Sequence, residues 1–189
     1  MKSTRDGPDG RGRGESPAPR PRGFTIVELM VALSVLAILL ALAVPSFTNA
    51  TLGARLSSYA NDLLASTQLA RSEAIKRNRE VRLCAAADPV GTDCATSGTW
   101  HFGWIVWTTQ LIDGVEERVV LQRQQAVSPE FRVIQTAEEL SFPPTVVGVT
   151  PDNVSFRVCR ANPAGSQRRI VTVTASGSAS VRAEDGGCT

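Results

Sequence analysis

The sequence is poor in the side chains that most catalytic sites need. His101 is the only histidine in 189 residues. A Ser-His-Asp arrangement would have to be built around it, and nothing beside it has the form of a nucleophile elbow. No GxGxxG or GxxxxGKS/T run is present to cradle a phosphate. The four cysteines, Cys84, Cys94, Cys159 and Cys188, contain no CxxC pair. With no CxxC pair and one histidine to add at most one ligand, the pattern argues against the usual tetrahedral zinc sites. Net charge is only +2, and residues 1–23, with six basic and three acidic side chains, leave the rest of the chain at −1. A body so close to neutral offers no global electrostatic case for nucleic-acid binding. The expectation is a protein without enzymatic activity, cofactor or metal.

Two further scarcities are local. After Met1, residues 1–23 hold no large apolar side chain, and from Phe24 to Val44 the only charge is Glu28. Those 21 residues, FTIVELMVALSVLAILLALAV, would span roughly 30 Å as a helix, enough to cross a bilayer core. The basic leader sets the N-terminus in the cytoplasm and the C-terminal body outside, where cysteines can oxidise. A single-pass inner-membrane segment with a periplasmic head is therefore expected. A cleaved secretory signal is the competing reading, because Ala41-Leu42-Ala43 has the small-x-small form of a cleavage site. The apolar run exceeds the usual span of a secretory core, and Glu28 is badly placed in one.

A carboxylate inside a membrane segment costs on the order of 2.5–3.5 kcal/mol on insertion scales, so it usually has a partner or a task. The helix around Glu28 offers no nearby cation. Its neutralisation must come from a proton, another chain or a new N-terminus.

Gly23-Phe24-Thr25-Ile26-Val27-Glu28, at the junction of basic leader and apolar run, resembles the type IV prepilin cleavage motif. The resemblance implies a prepilin peptidase that cuts after Gly23 and methylates the new N-terminal Phe24. It also implies a partner for Glu28, the charged amine of Phe24 on a neighbouring subunit. Gly23 and Phe24 are then processing residues, and Glu28 and Pro45 serve assembly.

Past Pro45 the helical period continues but becomes amphipathic. Leu52, Leu56, Tyr59 and Leu63 share one face, and Ala70 and Ala74 extend it. Glu73 and Arg77 form an i,i+4 pair, and Asn78 is a plausible stop. A helix from Phe24 to about Asn78 would be roughly 80 Å long if straight, and Pro45 is expected to kink or loosen its middle. From Glu80 onward the text is strand-like: EVRLCA, FGWIVWTT, ERVVLQR, FRVIQT, NVSFRVCR and RRIVTVTA are separated by Gly, Pro, Asp and Asn clusters. The expected class is α+β, a long N-terminal helix packed on one antiparallel sheet or two small ones. The expected parts are a leader (1–23), a membrane or filament-core helix (24–44), an amphipathic continuation (45–78) and a β-rich head (79–189).

Leu69-Ala70-Arg71-Ser72-Glu73-Ala74-Ile75-Lys76-Arg77-Asn78, the nearby Cys84, Gly103-Trp104-Ile105-Val106 and the late Cys159 and Cys188 resemble the GspH/FimT-type minor pilins and pseudopilins. The resemblance implies a structural subunit of a type IV pilus or type II secretion filament, at its tip or priming complex. Implied partners are other pilins or pseudopilins, the peptidase and the inner-membrane assembly platform. A periplasmic binding module on a plain anchor is the alternative, and it would need neither Glu28 nor a peptidase site.

Four cysteines allow three pairings; proximity favours Cys84–Cys94 and Cys159–Cys188, each bridge contributing roughly 2–4 kcal/mol. Some members of the resembled group bind DNA through a C-terminal Gly-Arg-x-Arg motif. The matching stretch here is Gly177-Ser178-Ala179-Ser180-Val181-Arg182, with serines where the two arginines would stand. Arg168, Arg169 and Arg182 are the candidate DNA contacts, although adjacent strand residues 168 and 169 must point to opposite faces. With a body charge of −1, these residues give DNA binding little support.

Overall fold

The computed structural model describes residues 23–96, 100–135, 137–145, 149 and 153–188, leaving aside the side chains of 44–46. The expected leader therefore lies outside the described residues, as does the Pro45 side chain. The chain divides into two compact units, residues 1–44 and 45–189.

The first unit carries the start of helix α1 (Ile26–Arg77). Thr25 caps it: its Oγ1 accepts the Glu28 amide at 3.1 Å and its carbonyl accepts the Leu29 amide at 3.1 Å. A threonine there satisfies an amide that the first helical turn would otherwise leave open. Ser34 turns its hydroxyl back onto the Met30 carbonyl at 2.8 Å, hiding a polar group within the apolar run. Residues 23–43 are exposed throughout, including Phe24, Leu29, Met30, Leu36, Ile38 and Leu42. That much continuous apolar surface is unstable against water and calls for lipid or neighbouring helices. Among the described residues α1 is the one helix long and apolar enough to cross a membrane.

In the second unit, α1 buries Leu52, Leu56, Ala60, Leu63, Ala70 and Ala74 on one face. The spacing is that of an amphipathic helix, and the alanines let strands approach closely. The helix ends in a Schellman arrangement. Asn78 takes the left-handed conformation (φ 51°), its amide donates to the Ile75 carbonyl at 3.3 Å, and the Arg79 amide donates to the Ala74 carbonyl at 3.2 Å. Glu73 accepts Arg77 Nε at 2.5 Å one turn earlier.

Eight strands follow among the described residues: β1 (Val81–Ala85), β2 (Trp104–Ile112), β3 (Val115–Gln124), β4 (Phe131–Ile134), β5 (Glu139–Phe142), β6 (Val154–Arg160), β7 (Gln167–Val173) and β8 (Ala179–Asp185). They form two four-stranded antiparallel sheets, ordered β3-β2-β1-β5 and β4-β6-β7-β8. Alternation sends Val81, Leu83, Trp104, Val106, Leu140 and Phe142 of the first sheet into the same core as α1. Phe131, Val133, Phe156, Val158, Val171 and Val173 come from the second.

In the β2–β3 hairpin, Val106 faces Gln122 while Trp107 faces Val120, so Leu121 is the extra residue of a bulge. Gly103 enters β2 at φ 98°, and a Cβ there would collide with the Gln124 carbonyl. The strand-like runs of the sequence account for six of the strands. β5 and β8 escape a sequence reading because ELSF is short and ASVRAED is too polar to register as strand.

Leu63 is fully buried, so Leu63→Ala should cost about 2–5 kcal/mol in denaturant unfolding of the head. Ile75→Ala, at a half-exposed position on the same helix, should stay within about 0.5 kcal/mol.

Candidate functional site

The N-terminal end of α1 presents Gly23 and Phe24 as exposed coil, followed by the Thr25 cap. Glu28 occupies the first helical turn, where the helix dipole favours a negative charge. Its amide is used by Thr25, but its carboxylate has no ion pair or hydrogen bond among the described residues. An exposed acid stands alone on an otherwise apolar surface, with its acceptor capacity unspent.

The cysteines pair as Cys84–Cys94 and Cys159–Cys188. The first bridge closes a loop that is further organised by Asp88. Asp88 Oδ1 accepts the Val90 amide at 2.8 Å and also that of Gly91, and these bonds hold its carboxyl below the usual range. Arg123 reaches from β3 to the carbonyls of Gly91 and Asp88. Cys84 and Cys94 gather near Glu139, with Cys94 Sγ 4.0 Å from its carboxylate. Sulfur committed to a disulfide is no thiolate ligand, so this grouping is a staple and not a metal centre. The second bridge ties the C-terminal segment to β6, and Arg157 Nη1 donates to the Cys188 carbonyl at 3.4 Å.

His101 sits in a short 3-10 turn (Trp100–Phe102) with its ring 4.6 Å from that of Phe102. Burial lowers its pKa, and Arg132 lowers it further. Such a histidine stays neutral at physiological pH and serves packing.

The three arginines singled out for DNA do not act together. Arg169 lies on the inner side of β7, where Nε donates to Ser57 Oγ at 3.1 Å and Nη2 to the Gly53 carbonyl at 3.4 Å. It fastens the second sheet to α1, because an odd-numbered position on β7 faces the helix. Arg168 and Arg182 face outward, and the strand register aligns two more cations with them. Arg182 opposes Ile170, which opposes Arg157; Arg168 opposes Cys159, which opposes Arg132. The outer face of the second sheet therefore carries Arg132, Arg157, Arg168 and Arg182. Glu184 is the one acid on that face among the described residues, bonded to Arg168 Nε at 3.1 Å and to Arg182 Nη2 at 2.6 Å. Sequence reasoning missed Arg132 and Arg157. The alternation within FRVI and VSFRVCR does carry their common facing, but the pairing of those strands is not written in either run.

An exposed apolar helix continuing into a stripe buried by antiparallel sheets defines the type IV pilin class, and the comparisons with known proteins agree. Two crystal structures of the type IV minor pilin FimU of Pseudomonas aeruginosa strain PAO1 match with TM-score 0.52 at 20% identity. Both cover 71% of this chain, with 95% of the FimU chain in one crystal form and 100% in the other. The family model for type II transport protein GspH matches residues 59–177, and that for the prokaryotic N-terminal methylation motif matches residues 19–44. No curated protein gives a significant match. The chain belongs to the GspH family, of the GspH/FimT minor pilin or pseudopilin type.

Hydrogen bonds from Arg182 and Arg168 hold the Glu184 carboxyl below its ordinary value of 4.5. A depressed folded-state pKa means that the unfolded chain takes up this proton first on acidification. The stability Glu184 contributes is present above about pH 4.5 and fades as pH falls through the lowered value. Glu184→Gln should lower the urea midpoint at neutral pH, and the gap to the unsubstituted protein should close on acidification.

Proposed function

We propose that this protein is a minor subunit of a type IV pilus or type II secretion filament, incorporated in the tip or priming complex. The precursor inserts in the inner membrane with residues 1–23 in the cytoplasm. Prepilin peptidase cuts after Gly23 and methylates Phe24, and the assembly platform passes the mature chain to other pilins or pseudopilins. Exposed apolar residues between Phe24 and Leu42 exchange lipid for neighbouring helices. The head, residues 79–189, remains periplasmic or rides on the filament.

The observation that carries this reading is the Glu28 carboxylate, without a partner among the described residues, on the otherwise apolar first part of α1. The methylated amine of a neighbouring Phe24 is a cation of the right size, and in a low-dielectric core the pair sets the axial register of one helix on the next. Desolvation offsets much of the attraction, so the pairing specifies position more than it adds stability.

Intact mass of the protein from its native host should correspond to Phe24–Thr189 plus one methyl group. A product beginning at Val44 would reject the filament assignment, and an uncut chain would favour a plain membrane-anchored binding module. Glu28→Ala should be processed normally but recovered in sheared filaments about tenfold less, the scale of one charge-assisted bond. Unchanged incorporation would remove the pairing from the mechanism. Crosslinked neighbours would identify the machine, pilus or secretion system.

The outer arginine face favours a second reading, binding of duplex DNA by the head. Four guanidinium groups against one carboxylate can follow a phosphate backbone even though the body as a whole is near neutral. If DNA binds there, Arg168→Ala with Arg182→Ala should reduce the salt dependence of affinity by about two in the log–log slope. Absence of salt-sensitive binding by the full chain would exclude this reading.

A further inference from the structure

Within the second unit, a cavity of about 330 Å³ lies between α1 and the adjoining ends of β4 and β6. Leu52 and Phe131, both part of the buried core, give it an apolar wall, and Phe47, Arg55, Glu130 and Arg160 also line it. Phe131 pairs with Arg160 across the strands, which brings Glu130 and Arg160 to the same end of the second sheet.

Arg55, Glu130 and Arg160 border one cavity, yet none has an ion pair or a side-chain hydrogen bond among the described residues. Elsewhere on the head, opposite charges that share a surface close up. Glu73 takes Arg77, Arg82 takes Glu80 and Glu139, and Arg168 and Arg182 take Glu184. Arg160 is the costliest to leave open. Its Nε is shut off from solvent and has no acceptor among the described residues, so its guanidinium depends on the terminal nitrogens for a partner. Backbone bonds fix the two strand-end charges. The Glu130 carbonyl accepts the Ala161 and Asn162 amides at 2.8 and 3.3 Å, and the Arg160 carbonyl accepts the Gly165 amide at 3.0 Å. Two guanidinium groups and one carboxylate thus stand around a gap without neutralising one another.

Phe47 adds the second observation. It is 71% exposed and stands three residues past Val44, the end of the apolar run. An aromatic ring at that place in a membrane helix belongs at the level of the lipid headgroups. Arg55, two helical turns further on, can reach back to that level along its aliphatic stem.

We propose that this cavity binds the headgroup of a phospholipid carrying both a phosphate and a primary ammonium, as phosphatidylethanolamine does. The phosphate lies between Arg55 and Arg160, the ammonium meets Glu130, and Phe47 covers the glycerol ester region. A purely anionic headgroup would leave Glu130 facing negative charge, and a quaternary ammonium has no N–H to give it. The site rests on the reading of α1 as a membrane anchor and not on the filament assignment.

The experiment is native mass spectrometry of the full chain released from detergent micelles, after titration with dioleoyl phosphatidylethanolamine, phosphatidylcholine or phosphatidylglycerol. Phosphatidylethanolamine should be retained about threefold more than either of the others, the scale of one exposed ion pair. Arg55→Gln, an exposed change, and Arg160→Gln should each lower that retention about tenfold, the scale of one charge-assisted bond. Lys76→Gln, at an exposed side chain that does not line the cavity, should leave it unchanged. Glu130→Gln should level the three lipids. Equal retention of all three by the unsubstituted chain, or full retention in both arginine variants, would mean lipid around the apolar helix only and would overturn the inference. Displacement by an equal concentration of glycerophosphoethanolamine would assign the cavity to a soluble ligand and also overturn it. A chain that does not enter micelles at all would reject the membrane anchor, and the site with it.

Discussion

The buried stripe on α1 is the contact on which the head depends. Leu56, Ala60 and Leu63 are fully buried, and side chains from both sheets close over the stripe they define. Neither sheet could shelter its inner face alone, because each is only four strands wide and apolar on one side. The helix supplies polar anchors as well as apolar ones. Ser66 takes the Trp104 indole at 2.9 Å, Tyr59 accepts the Ser128 amide at 3.2 Å, and Ser57 takes Arg169 at 3.1 Å. Each anchor fixes a strand or its flanking loop against a particular turn of the helix. Apolar contact alone, being non-directional, would set that register less tightly.

With the inner faces committed to packing, both outer faces are free to differ, and they do. The first sheet presents a tryptophan flanked by arginines beside an acidic, apolar hairpin. The second presents a row of arginines around one glutamate. Both disulfides lie on these outer sides, Cys84–Cys94 on the first sheet and Cys159–Cys188 on the second, with Cys84 and Cys159 themselves buried. They tie loops and the C-terminal segment across strands already held from within. A subunit arranged this way can vary its outer chemistry without disturbing the core that makes it a pilin.

Glu28 illustrates the division between local and collective causes. Its capping amide bond and its place in the first turn are local consequences of Thr-x-x-Glu at the start of an apolar run. The lack of a partner for its carboxylate among the described residues is a property of the folded chain. The first suggests a helix start; the second makes the residue available to another molecule.

Much of the architecture is legible in the sequence because the signals are short-range. A 3.6-residue period marks the stripe from Leu52 to Ala74, Asn78 supplies the left-handed stop, and alternation in VSFRVCR and RRIVTV sorts inner from outer side chains. Even the opposite facing of Arg168 and Arg169 follows from that alternation. The sequence by itself determined the apolar helix, the class of the fold and the candidate processing residues Gly23 and Phe24. Only the tertiary structure decided which strands lie side by side. That choice aligned Arg132 and Arg157 with Arg168 and Arg182, turned Arg169 into a tie to the helix, and left the buried Trp107 N–H without an acceptor among the described residues. Strand pairing joins residues far apart in the chain, and its energy depends on how both faces of a sheet are covered, which no single run of residues encodes.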